Sequence, residues 1–142
     1  MEGQPFVAEF KYDGQRAQIH AASENGRIVQ FKIFSRHLED MTTKVPIFAN
    51  FLIESFSYLL FQYPDVQALI ASVLKNTSSI STFIMDSEIV AVDSRTGALK
   101  NFQELSNRAK KDVKLKDVQI SVCVYAFDLM YLNGEVCESN MN

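Results

Sequence analysis

The sequence predicts an α+β domain rich in antiparallel strands. Three observations carry this. Residues 6–34 alternate in polarity around an Asn-Gly pair, residues 64–76 space their apolar side chains as a helix does, and two long apolar strand runs occupy 82–93 and 118–134. Strand runs joined by short turns, with few helices among them, build an antiparallel-rich sheet with helices packed on it.

The elements follow in chain order. Residues 6–20 place Glu9, Lys11 and Asp13 on one face of a strand, with Phe10 and Tyr12 on the other. Asp13-Gly14 offers a turn or bulge, and "RAQIHAAS" continues the strand. Asn25-Gly26 is a two-residue hairpin signal, because both positions tolerate positive φ, and "RIVQFKIFS" is the returning strand. Pro64 opens a helix with Val66, Leu69, Ile70, Val73 and Leu74 at helical spacing. "TFIMDSEIVAVD" is a strand with Asp86 and Glu88 on one face and Met85, Ser87 and Ile89 on the other. "RTGAL" turns the chain. "NFQELSNRAKK" is a short helix with basic residues at its C-terminal end, where the helix dipole favours them. "VQISVCVYAFDLMYLNG" reads as a long strand buried on both faces for part of its length.

Composition bounds the function. Apolar residues make up 47% of the 142 positions and charged residues 22%, a globular balance. The net charge of −3 gives no global signal of nucleic-acid binding, so a basic surface must be local. Cys123 and Cys137 have no metal-ligand spacing, and two histidines are too few for a histidine-built metal centre. The opening "MEGQPF" lacks the pattern of a secretory leader, and Val45–Phe61, with Asn50 and Glu54 inside it, reads as a buried amphipathic helix rather than a membrane anchor. The basic cluster 108–116 is interrupted by Asp112 and reads as a solvated face.

Lys11 poses the chemical question. A protonated amine is no nucleophile; desolvation and nearby cations free its lone pair. Lys11 sits in apolar company, Arg16 follows closely, Asp13 is placed to orient the amine, and Gly14 lets backbone approach a phosphate. Spacing alone leaves two readings: an amine that attacks phosphorus, or a solvent-facing lysine paired with Glu9.

The motifs go further than spacing. "KYDGQR", Lys11–Arg16, fits the Lys-x-Asp-Gly-x-Arg pattern of covalent nucleotidyltransferases, and "EFKYDGQRAQIH" resembles the eukaryotic-type ATP-dependent DNA ligases, the DNA ligase I-like branch in particular. "IFSRHLEDMT", "FIMDSEIVAVD", "NFQELSNRAKK" and "VCVYAFDLMYLNGE" resemble successive blocks of the same family, in family order. The resemblance implies the fold of an incomplete nucleotidyltransferase (ATP-grasp-like, DNA ligase adenylation) domain. It implies that Lys11 attacks the α-phosphate of ATP, carries AMP as a phosphoramidate and passes it to a DNA 5′-phosphate. By the same resemblance Glu9 contacts adenine, Arg16 the ribose or phosphate, and Arg36 the phosphates or DNA. Glu88 binds the ribose edge or Mg²⁺, and Phe127 stacks on adenine; core packing is the ordinary alternative for Phe127, and a half-exposed strand carboxylate for Glu88.

The resemblance also implies nicked double-stranded DNA as partner, a monomeric full-length enzyme, a nuclear location and no membrane. Two alternatives are an RNA ligase or messenger-RNA capping guanylyltransferase, and a non-catalytic nucleotide- or DNA-binding fragment. Residues 1–135 read as a partial adenylation domain with a non-family insertion at 45–62, and 136–142 as a non-family tail. Both extra pieces sit where the family pattern breaks. Valine codons begin GT and glutamine codons can end AG, the two ends of an intron, and Val136-Cys137 can be encoded as the donor-like GTATGT, so both read as translated introns. Without the family's later motifs, the chain alone is expected not to ligate DNA and to be poorly soluble.

Overall fold

The computed structural model describes residues 8, 10–42, 63–107 and 120–137. Glu9, the 45–62 insertion, the basic cluster 108–116 and the tail beyond Cys137 lie outside the described residues, so the expectations placed on them stand as sequence readings.

Five strands form one sheet: β1 (Gln15–Glu24), β2 (Arg27–Phe34), β3 (Thr82–Val92), β4 (Ser121–Leu132) and β5 (Glu135–Val136). Their spatial order is β2-β1-β3-β4-β5, and every neighbouring pair is antiparallel. Two helices accompany them, α1 (Pro64–Asn76) and α2 (Phe102–Ser106). This is the antiparallel-rich α+β arrangement the alternation predicts.

Turn chemistry sets the hairpins. Asn25 and Gly26 adopt φ of 51° and 73°, the paired positive values of a two-residue turn that matches strand twist. Asn133 and Gly134 repeat the device between β4 and β5 with φ of 49° and 100°. The Asn133 side chain also ties this turn to the loop before β3, accepting from the Ser81 amide at 2.8 Å and donating to the Ser79 carbonyl at 2.6 Å. After β3, the Arg95 and Thr96 amides donate to the Asp93 carboxylate, each at 3.0 Å, which closes the predicted turn.

One face of the sheet makes the core. Ala17, Ile19 and Ala21 of β1, Phe31 and Ile33 of β2, and Phe83, Ile89 and Ala91 of β3 are buried at alternate positions. The helix α1 covers them with Val66, Ile70 and Leu74, four residues apart on one stripe, and α2 adds Leu105. Leu69 and Val73, read with that stripe from their spacing, instead face solvent. Full burial of each Ile or Leu in this cluster contributes about 1.5–3 kcal/mol. The buried Ser87 hydroxyl is satisfied by donating to the Ala17 carbonyl at 2.7 Å.

Three elements depart from the sequence reading. Regular strand pairing begins at Gln15, opposite Ile89, so Lys11 precedes the strand rather than lying within it. α2 stops at Ser106, before the basic residues expected at its end. β4 has no fully buried residue, and 126–130 are exposed. The reason is positional: β4 pairs with β3 along its length, but on its other side only Tyr131 and Leu132 meet β5.

Candidate functional site

The site is assembled from the segment before β1 and the face of the sheet opposite α1. Residues 12–14 are each fixed to a different element. The Tyr12 ring stacks on Tyr125 of β4, with centroids 3.9 Å apart and planes 16° from parallel. The Asp13 carboxylate accepts the Phe102 amide at 3.0 Å, at the first turn of α2, where an anion is favoured. Gly14 lies hard against β3: a Cβ there would stand 2.3 Å from the Ile89 carbonyl oxygen. The sequence assigned Gly14 to close approach of a phosphate; the protein's own β3 backbone also approaches it closely. Lys11, immediately before this run, has an exposed side chain and makes no ion pair among the described residues.

On the sheet, Arg16, Glu88 and Tyr125 form one row across β1, β3 and β4, while Gln18, Asp86 and Asp128 form the next. Arg16 bonds diagonally to Asp86, and its charge also acts on its row partner Glu88. Its Nε donates to both Asp86 oxygens, at 3.0 and 3.1 Å, and its Nη2 also pairs with Asp86. Two-point pairing of this kind fixes the plane of the guanidinium as well as its place. The guanidinium carbon also lies 5.5 Å from the centroid of the Phe127 ring.

Alternation from Tyr125 keeps Phe127 on this face, and an irregularity after it brings Asp128 onto the face as well. Ala126 pairs with Ser87 and Asp128 with Asp86, which leaves Phe127 as an extra residue in β4. A second such step leaves Met130 extra. Bulges re-aim side chains in this way and bend the strand that carries them.

Glu88 is half-buried, and its carboxyl pKa is raised above the ordinary value. Desolvation is the main cause and the charges of Asp86 and Asp13 add to it, against the opposing pull of Arg16 and the Gly14 amide that donates to Glu88. The exposed Arg36, in the loop after β2, shares a concave depression of about 300 Å³ with Arg16, Gln18, Ser35, Leu38 and Asp86. Two guanidinium groups opening on one hollow make it suited to an anion. Among the described residues no cluster of three or more His, Cys, Asp or Glu side chains could hold a metal ion.

The structure therefore brings Arg16, Arg36, Glu88 and Phe127 to one neighbourhood, places Lys11 on the segment leading into it, and leaves Glu9 outside the described residues. Sequence reasoning missed Asp86 as the holder of Arg16 and Tyr125 as the support of Tyr12. Alternation in "MDSE" did put Asp86 on the face of Glu88. No local signal joins residues 70 positions apart.

The comparisons with known proteins identify the family and support the fold. The profile of the ATP dependent DNA ligase domain matches residues 1–141. The chain is 39% identical over 132 residues to DNA ligase 3 of Schizosaccharomyces pombe, covering 93% of this chain and 14% of that protein. It is 41% identical over 130 residues to DNA ligase 1 of Arabidopsis thaliana, covering 92% of this chain and 13% of the relative. Among solved structures, it is similar to a mycobacterial DNA ligase D complexed with ATP and MES, with TM-score 0.55, 26% identity, and coverage of 90% of this chain and 30% of that one. The chain thus spans about one seventh of the curated relatives it matches. Within that span, the chain belongs to the ATP-dependent DNA ligase domain family.

Proposed function

We propose that this chain is the part of a DNA ligase adenylation domain that carries the reactive lysine and one wall of the nucleotide site. The observation that carries the reading is the convergence of Arg16, Glu88 and Phe127 on one sheet face, next to the segment that bears Lys11. In the proposed reaction the Lys11 amine, after losing a proton to solvent, attacks the α-phosphorus of ATP. The bond to pyrophosphate breaks, and AMP remains on Nζ as a phosphoramidate. A 5′-phosphate at a DNA nick then takes the AMP, and the 3′-hydroxyl displaces it to close the backbone.

The other residues hold and neutralise. Phe127 offers a part-exposed ring to adenine, Arg16 a guanidinium to ribose or phosphate oxygens, and Arg36 one to the phosphates or the DNA. Glu9 is assigned to the adenine edge. Glu88 is assigned to the ribose edge or Mg²⁺; a single carboxylate beside substrate phosphates suits that ion, which keeps much of its own water. Mg²⁺, when bound, neutralises phosphate charge.

Nicked duplex DNA is the proposed partner, and a monomeric nuclear enzyme the proposed context. No helix among the described residues is long and apolar enough to cross a membrane. The chain alone is proposed to seal no nicks, with 45–62 and 136–142 as additions to the family pattern.

The test is self-labelling. The chain, and the full-length ligase that contains it, are incubated with ATP labelled at the α-phosphate and with Mg²⁺. An alkali-stable, acid-labile label on residue 11, absent in Lys11→Ala, is expected. Label from GTP in place of ATP would favour a guanylyltransferase, and no label in the full-length protein would end the reading.

A further inference from the structure

We infer that the Tyr12–Tyr125 stack is a positioning device for Lys11, an inference that rests on the proposed adenylation of that lysine. The peptide unit joining Lys11 to Tyr12 links the reactive amine directly to the residue whose ring lies flat on β4. Asp13 and Gly14 fix the same run to α2 and β3, but both anchors lie on the far side of Tyr12 from Lys11. The stack is therefore the last attachment before the nucleophile. Its partner, Tyr125, shares a cross-sheet row with Glu88 and Arg16, so the stack sets the amine relative to the groups proposed to hold the nucleotide.

The chemistry asks for such a part. A lysine has a long flexible side chain, and Lys11 is exposed, so packing around its own side chain does not aim it. In-line attack on phosphorus needs the nucleophile held at near-attack distance, and misplacement by about 1 Å costs on the order of 100-fold in rate. Fixing the residue next to Lys11 narrows the volume the amine searches. The contact uses ring faces rather than hydroxyl groups, so phenylalanine reproduces it at either position.

Two measurements on Tyr125→Ala and Tyr125→Phe test this. The first is single-turnover self-labelling by the full-length ligase across a range of ATP concentrations. Tyr125→Ala is expected to lower the rate at saturating ATP by about 10- to 100-fold while half-saturation moves less than about twofold; Tyr125→Phe restores the rate. The second is amide hydrogen exchange of Gly14 and Phe102, whose amides donate to Glu88 and Asp13. Exchange is expected to quicken in Tyr125→Ala and not in Tyr125→Phe, with Ile89 on β3 unchanged. An unaltered saturating rate in Tyr125→Ala, a loss confined to half-saturation, or unaltered exchange overturns the inference alone. Absence of label in the unsubstituted full-length enzyme overturns the adenylation reading and, with it, the task assigned to the stack.

Discussion

Arg16 reaches diagonally across the sheet to bond Asp86, while Glu88 stands directly opposite it in the ladder. Asp86 is 7% exposed, whereas about half of the Arg16 side chain faces water. The pair therefore fixes a cation at the surface by means of a carboxylate rooted in the sheet. Asp86→Ala is expected to lower unfolding free energy by about 1–2 kcal/mol, the range of a charge-assisted bond reduced by solvent screening at Arg16. Asp86→Asn should lose less. Urea unfolding of the three proteins measures this, and equal midpoints for all three would count against the anchoring role.

Gly14 makes a sharper prediction. A methyl group there meets the Ile89 carbonyl at 2.3 Å and the Val90 side chain at 2.9 Å. Backbone has little room to yield, so Gly14→Ala is expected to destabilise by about 1–3 kcal/mol. The matching signature is faster hydrogen exchange where β1 begins to pair with β3, at Gln15 and Ile89. A Tm equal to that of the unsubstituted chain would remove the close-approach account of this glycine.

His20 supplies the pH dependence. Its ring sits edge-on to Phe34 and is bonded to Gln18 at 2.8 Å, with Lys32 opposite it in the ladder. Burial first, and then the Lys32 charge, lower its pKa below the ordinary 6.5. The unfolded chain thus binds a proton more readily than the folded one between the lowered value and 6.5. Stability from this group is complete above 6.5 and is lost as pH falls through that window. His20→Gln is expected to flatten the slope there, as denaturation midpoints at a series of pH values would reveal. An identical slope in the variant would assign the effect elsewhere.

Lys11 separates stability from chemistry. Its side chain is exposed, so Lys11→Ala should change unfolding free energy by less than about 0.5 kcal/mol. The same substitution should abolish covalent labelling by ATP. A variant that keeps the label would move the nucleophile to another residue.

How far the sequence reveals the molecule depends on whether the deciding contact is local. Asn25-Gly26 and Pro64 act within a few residues, and the hairpin and the start of α1 stand where those residues predict. The identical Asn-Gly at 133–134 carried the same signal and turns the chain between β4 and β5. Alternation set Asp86 and Glu88 on one face, as found. It misled at Lys11, because the alternating pattern ran on through Asp13-Gly14, although that pair marked the turn after which pairing begins at Gln15. It misled again at β4, where an apolar run says nothing about whether a neighbouring layer exists. Of the site, residue types were legible through family motifs. The Arg16–Asp86 and Tyr12–Tyr125 partnerships were not, since they depend on which strands become neighbours.

The seating of Gly14 against Ile89 has a developmental consequence for the polypeptide. The lysine leaves the ribosome before the strand that seats its loop, and Tyr125 follows later still. A nascent chain therefore displays this amine before the segments that seat its loop have emerged to dock.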